Sequence, residues 1–235
     1  MRGLTDIHSH ILPGIDDGSE SVEQSLAMIA EEINQGVENI FCTPHYRVPY
    51  LAEKEETKAV FEKFCETVKE NNLPVNLYLG QEIAVNEKTL SMLKKGNLLT
   101  LNESKYVLLE YSLTKKTFDM SETVHEFVVE GFKPIVAHIE RYPYITAEDV
   151  YDVKRGGGLV HINADSAADV GRIFGGAYIK TLIEENLVDF IAGDYHYYRK
   201  NSMREAYNAI TRRYGEQVAD KLFRENAKKI IENRD

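Results

Sequence analysis

The chain holds 235 residues, with 28 Lys plus Arg against 38 Asp plus Glu, a formal charge of −10 and 43% hydrophobic residues. That apolar fraction suffices for a core and excludes a largely disordered chain. The acidity argues against nucleic acid as the principal partner, because no basic cluster exceeds a dipeptide such as Arg212-Arg213.

The length matches the roughly 200 to 250 residues that an α/β barrel uses as one unit, so the expectation is a single domain over residues 1–235. The start, MRGLTDIHSH, lacks an apolar signal core. No run approaches the roughly 18 apolar residues of a membrane span. This predicts a cytoplasmic protein without direct membrane insertion. Cys42 and Cys65 form no CxxC pair and are read as small buried residues rather than as a disulfide or zinc site.

In chain order, short β-branched or leucine-rich runs alternate with amphipathic ones, the pattern of repeated βα units. Seven strands are predicted, at Leu4 to His8, Val37 to Thr43, Asn76 to Gly80, Tyr106 to Leu109, Pro134 to Ala137, Leu159 to Asn163 and Val188 to Ala192. The first helix begins near Ser21, where Ser21 and Gln24 suit a capping box, and stops at Gly36. Further helices are predicted over Glu53 to Glu70, Glu122 to Glu130, Ala147 to Lys154, Ala177 to Asn186 and Met203 to Tyr214, with a last one across Gly215 to Asn233.

Metal-capable side chains gather at the carboxyl ends of these strands. His8 and His10 close the first, His45 follows the second, Glu82 the third, Glu110 the fourth, His138 the fifth, and Asp194 with His196 the seventh. In a parallel barrel those ends converge on one face. Asp17, in the loop LPGIDDG, can fold back to join them. Imidazole with carboxylate suits the manganese, iron and zinc group. Five histidines and four carboxylates exceed the needs of one ion, so two or three bridged divalent ions are expected. His125, within a helix, and His161, inside a strand, are read as structural.

The phrases DIHSH, TPHY, GQEI, LLEYS, AHIERY and GDYH, in this order and spacing, resemble the polymerase and histidinol phosphatase (PHP) superfamily. More narrowly they resemble its bacterial manganese-dependent protein-tyrosine phosphatases of capsule and exopolysaccharide synthesis. The resemblance covers essentially the whole chain, with HSHILPGIDDGS and AHIERY its most specific parts. It implies an α/β fold, a distorted TIM-like (β/α)7 barrel of the PHP type, with a trinuclear site most often loaded with manganese. Carried over residue by residue, the ligands are His8, His10, Asp17, His45, Glu82, Glu110, His138, Asp194 and His196. Arg141 matches the phosphate-binding arginine. The last motif departs from the family's Ser-Asp-x-His-Asn, reading Gly193-Asp194-Tyr195-His196-Tyr197, and the loop after it is about two residues shorter; Arg199 is the nearest counterpart of a second family arginine there.

Such a site activates water near neutral pH and accepts phosphoryl oxygens. Arg141 offers a planar fork for two of them. A tyrosyl phenolate, with a parent pKa near 10, departs more easily than an alkoxide, and no residue stands out as proton donor. The cysteine route is unsupported, since Val48 and Asn71, not arginines, lie six positions beyond Cys42 and Cys65. Neither a GxSxG elbow nor a GxxxxGK loop is present, and Gly156-Gly157-Gly158 reads as a turn. Eight of the fourteen tyrosines neighbour the ligand motifs: Tyr46, Tyr50, Tyr111, Tyr142, Tyr144, Tyr195, Tyr197 and Tyr198. They either stack on a phosphotyrosine ring or pack the barrel mouth. The resemblance points to a phosphotyrosine-containing protein, the tyrosine-rich tail of a bacterial tyrosine kinase, as partner. A small-molecule phosphatase such as one for histidinol phosphate shares the metal chemistry, and a non-catalytic regulatory barrel is the third reading, which nine retained ligands oppose.

Overall fold

The computed structural model describes residues 3–171 and 177–233. Every strand pairing among them is parallel. One sheet has the order β1 (Leu4–Ser9), β2 (Val37–Cys42), β4 (Asn76–Leu79). The other runs β3 (His45–Tyr46), β5 (Glu82–Ala84), β6 (Tyr106–Glu110), β7 (Lys133–Val136), β8 (Leu159–Asn163), β9 (Phe190–Ala192).

Seven of the nine strands fall on the predicted segments, while β3 and β5 lie just beyond the second and third of them and were not expected. Thr43-Pro44 separates β2 from β3, and Gly80-Gln81 separates β4 from β5. Pro44 has no N–H to give the ladder, yet its carbonyl accepts from Glu82 N at 3.1 Å, and Cys42 O accepts from Gly80 N at 2.9 Å. These bonds join the two sheets along one edge. A bridge between Ser9 and Tyr195, with His10 N donating to Tyr195 O at 2.9 Å, brings β1 beside the segment that follows β9.

Alternation along the strands explains the core. Ile40, Val107, Leu109, Val136 and Ile191 face the cluster shared with the helices, while Phe41, Leu108, Ile135, Phe190 and Ala192 face a second, inner cluster. Strands buried on both faces read as continuous apolar runs, which is why YVLLE and KPIV lack a polar face. Ala227 and Ile230 of α10 (Asn226–Ile231) join the inner cluster and close its far end.

The helices follow their caps. In α1 (Val22–Gln35) Ser21 Oγ accepts from Gln24 N, and Gly36 ends the helix at φ 93°. The expected capping box is one-sided: the Gln24 carboxamide accepts from Glu20 N instead of Ser21 N. After α2 (Lys54–Glu70) and a short α3 (Thr89–Lys94) that was not expected, α4 (Met120–Val129) starts two residues before its predicted bound because Asp119 accepts from Ser121 N and Glu122 N. Thr146 and Asp149 form the reciprocal box of α5 (Ala147–Arg155). Then come α6 (Ala164–Ala168), α7 (Ala177–Glu184) and α8 (Met203–Tyr214). The single helix expected over Gly215 to Asn233 is instead α9 (Glu216–Asp220), a π segment at Lys221–Glu225, and α10.

Candidate metal and phosphate site

All nine residues expected as ligands lie within one cluster at the carboxyl ends of the strands. The loop after β1 builds its entrance. In LPGIDDG, Gly14 N donates to Ser19 O at 2.8 Å. Gly18 backs so closely onto His10 that a Cβ there would sit 2.0 Å from the His10 carbonyl oxygen. Of the two aspartates, Asp16 turns inward. Its carboxylate lies 2.7 Å from His10 Nδ1 and accepts from His45 N at 2.9 Å and Gly18 N at 3.0 Å. Burial opposes ionisation of Asp16, but the charge and hydrogen bond of His10 win and hold the carboxyl well below its ordinary range. The same contact, working against burial, raises His10 well above the usual imidazole value. Asp17 faces the mouth, with its Oδ1 3.4 Å from His45 Nε2 and 3.6 Å from His196 Nε2.

Three groups of donor atoms lie close enough to share an ion: His10, Asp17, His45 and His196; His8, His10 and Glu82; and His45, Glu82 and Glu110. His10, His45 and Glu82 each belong to two groups, the overlap a bridged site requires. His8 Nε2 and His10 Nε2 face each other at 3.1 Å, and Glu82 Oε2 stands 3.2 and 3.4 Å from them. His138 and Asp194 fall outside the three groups but touch them. His138 Nε2 is 2.8 Å from Glu82 Oε1, and Asp194 Oδ1 is 3.5 Å from His10 Nε2.

The residues fit divalent ions. Glu82, Asp194 and Glu110 are buried together, a costly arrangement of like charges without cations between them. The mixed nitrogen and oxygen donors suit manganese, iron or zinc. Burial and the charge of Glu82 push Glu110 up to about 8, whereas for Glu82 burial is outweighed by His8 and His45, which hold it well below its usual value. Burial, then the charge of His10, drops His196 to about 3, so its ring is a neutral donor.

Both predicted arginines reach the site. Arg141 Nη1 donates to Asp194 Oδ2 at 2.9 Å and Arg199 Nη1 to the same oxygen at 2.7 Å, with Asn163 Nδ2 a third donor at 3.0 Å. Arg199 also donates to the Asp194 carbonyl at 3.2 Å. Arg199, in the loop after His196, thus shares Asp194 with Arg141. His138 and Asp194 adopt left-handed backbones, φ 31° and 46°, a cost concentrated where two strands hand over to the site.

Sequence reasoning missed several contributors. Asp16 was hidden by its twin, since nothing local tells which member of Asp-Asp turns inward. Asp6 stands out in no motif, yet its Oδ1 accepts from His8 N at 3.0 Å and Gly193 N at 2.9 Å and so ties β1 to the segment after β9. Gly193 lets the Asp6 carboxylate come this close, since a Cβ there would meet Asp6 Oδ2 at 2.4 Å. Arg47 went unremarked although it stands two residues after His45; it donates to His45 Nε2 at 3.1 Å and Asp17 Oδ2 at 3.3 Å. His161, expected to be structural, stays outside the three groups and accepts from His138 N through Nδ1 at 2.8 Å. His125 is exposed on α4. Of the cysteines, Cys42 is buried but Cys65 is only half-buried, because Phe64 beside it takes the core-facing place on α2. Nor do the tyrosines rim the mouth uniformly. Tyr111, Tyr142 and Tyr195 are buried, with Tyr111 N donating to Tyr142 Oη at 3.0 Å, while Tyr197 and Tyr198 are exposed.

The family model described as capsular polysaccharide synthesis, CpsB/CapC, matches residues 4–232. The chain is 33% identical over 239 residues to the tyrosine-protein phosphatase CpsB of Streptococcus pneumoniae, covering 97% of this chain and 98% of that one. It is 32% identical over 243 residues to the CpsB of Streptococcus agalactiae, covering 98% and 99%. The structure superposes with a TM-score of 0.92 and 27% identity, over 99% of this chain and 96% of the other, on a crystal structure from work on YwqE of Bacillus subtilis and CpsB of Streptococcus pneumoniae, described as unique metal-dependent tyrosine phosphatases. The chain belongs to the CpsB/CapC family of capsular polysaccharide synthesis.

Proposed function

We propose that the protein is a metal-dependent protein-tyrosine phosphatase that hydrolyses phosphotyrosine on the tail of a bacterial tyrosine autokinase and so regulates capsular or exopolysaccharide synthesis. The observation that carries this reading is the meeting, in one mouth, of overlapping His/carboxylate groups with two guanidinium groups on Asp194. The names of its relatives point the same way. We read the two sheets as a distorted (β/α)7 barrel forming one domain, and its ions as two or three of manganese, with iron or zinc as substitutes. No helix among the described residues is long and apolar enough to cross a membrane; a cytoplasmic site of action agrees with the kinase tail as substrate.

Bound divalent ions would neutralise phosphoryl oxygens and acidify the attacking water. The protein's own groups do the rest. His8, His10, His45, His138 and His196, with Asp17, Glu82, Glu110 and Asp194, would hold the ions. Asp16 fixes the His10 ring and leaves Nε2 turned toward Glu82. Arg141 and Arg199, each about one-third exposed, present unused donors to the mouth and can take phosphoryl oxygens while Asp194 anchors them. The phenolate of tyrosine, with a parent pKa near 10, leaves without a strong general acid.

The test is hydrolysis of a phosphotyrosine peptide against histidinol phosphate by the full chain, with manganese, zinc or chelator, alongside elemental analysis. Manganese-dependent release of phosphate from the peptide in preference to histidinol phosphate is expected. Preference for histidinol phosphate would make it a small-molecule phosphatase, and no hydrolysis of either substrate would overturn the enzymatic reading.

A further inference from the structure

Three imidazoles form a row across the mouth, with His10 in the middle, its ring centroid 4.3 Å from His45 and 4.0 Å from His196. Each end of the row carries the same pair of side chains. At the His196 end stand Tyr198, 5.3 Å from the imidazole, and Arg199, whose guanidinium carbon is 5.6 Å from the Tyr198 ring. At the His45 end stand Tyr50, stacked at 6.3 Å and 17°, and Arg47, with its guanidinium carbon 6.0 Å from the Tyr50 ring. The two ends come from unrelated loops, after β3 and after β9, and run in opposite senses along the chain, so the correspondence is one of chemistry in space.

The Arg47 end is built, not incidental. Arg47 N donates to Tyr50 O at 2.8 Å, closing a turn in which Val48 is 79% exposed. The guanidinium is fixed by Asp17 and His45 and lies 3.7 Å from Glu110 Oε2 through Nε. Five N–H donors cannot all be used by those contacts, and the side chain remains 35% exposed. A cation beside an aromatic face, open to solvent at the edge of a phosphate site, matches the two parts of an aryl phosphate: an anionic head and a flat apolar ring.

We propose that Arg47 and Tyr50 are specificity-determining residues that grip the phosphotyrosine side chain from the side opposite Arg199 and Tyr198. Arg47 donates to a phosphoryl oxygen, and the Tyr50 ring packs on the phenyl group. This rests on the tyrosine-phosphatase reading and deepens it. Neither residue is among the expected ligands, but Arg47 touches three of them, Asp17, His45 and Glu110, so metal content is followed beside every kinetic change.

The experiment compares the manganese-loaded full chain with Arg47→Met and Tyr50→Leu, measuring kcat and KM on a phosphotyrosine peptide and on glycerol phosphate, the binding of inorganic phosphate by calorimetry, and metal content by elemental analysis. Losing a charge-assisted contact is expected to raise KM for the peptide and to weaken phosphate binding about tenfold or more in Arg47→Met, beyond what any change in metal content accounts for. Tyr50→Leu is expected to raise KM for the peptide but not for glycerol phosphate. Unchanged peptide KM and phosphate binding in Arg47→Met, or losses that track lost metal, would overturn the proposal. If the unmodified chain does not hydrolyse phosphotyrosine, the functional reading fails by itself. The phosphate calorimetry still decides the role of Arg47, weaker binding supporting it and equal binding removing it.

Discussion

The floor and the rim of the site are built by different physics. On the floor, His8, His138, His161, Asp6 and Glu82 are wholly buried, and backbone groups hold them in place: His8 N and Gly193 N on Asp6, His138 N on His161. At the rim, Asp17, Arg47, Arg141 and Arg199 are each about one-third exposed and are held by charge, Asp17 and Arg47 by each other and the other two arginines by Asp194. A buried group held by the backbone has no alternative position, whereas a rim group can exchange a carboxylate for a phosphoryl oxygen at little cost. The floor therefore suits fixed donors to ions, and the rim suits a substrate that must come and go.

Substituting the floor should have the largest effect. His138→Ala is expected to cut phosphatase activity more than about a hundredfold, with the far-ultraviolet circular dichroism of the folded chain retained. Full activity in that variant would remove His138 from the proposed ligand set. One step outward, Asp16→Asn keeps the shape but loses the charge facing His10 Nδ1. Metal affinity is expected to fall about 10- to 100-fold, read by titrating the chelated protein with manganese. An unchanged affinity would show that backbone contacts alone orient His10.

A pH effect separates floor from rim without touching a proposed ligand. Glu140 is half-buried with its carboxyl turned inward, accepting from Asn163 N at 2.8 Å, and burial lifts it to about 7 despite that bond. A carboxyl raised above its ordinary value favours the fold while neutral. That stability is complete below about 4.5, the unfolded value, and is lost as pH climbs through about 7. Glu140→Gln stays neutral throughout. Relative to the parent it should gain roughly 1–3 kcal/mol between pH 4.5 and 7.5, seen as a flatter profile of denaturant unfolding against pH. A parallel profile would place the Glu140 carboxyl in contact with water.

How much of this was legible in the sequence follows the same divide. Strand ends announce themselves through apolar runs that stop at a histidine or acid, so His8, Glu110, His138 and Asp194 were placed by pattern alone. Side-chain direction in a loop has no period. LPGIDDG thus disclosed that an aspartate returns to the site but not that Asp16 and Asp17 divide the work, one behind His10 and one at the mouth. Arg47 was unreadable for a related reason, since its partners Asp17 and Glu110 lie 30 and 63 positions away. The splits at Pro44 and Gly80 and the π segment near the end are tertiary choices that composition does not encode.

The smallest expected effect belongs to the outermost aromatic. Tyr197 is 52% exposed beside the site, whereas Tyr142, one residue after Arg141, is buried with its hydroxyl accepting from Tyr111 N. An exposed ring has little packing to lose, so Tyr197→Ala should leave unfolding within about 0.5 kcal/mol of the parent. If the ring meets a substrate phenyl, KM for an aryl phosphate should rise about threefold while that for an alkyl phosphate stays put, the scale of one aromatic contact. Equal changes on both substrates would assign Tyr197 to the surface alone. A change in stability larger than that on KM would mean that packing extends farther toward solvent than the burial of Tyr142 and Tyr195 implies.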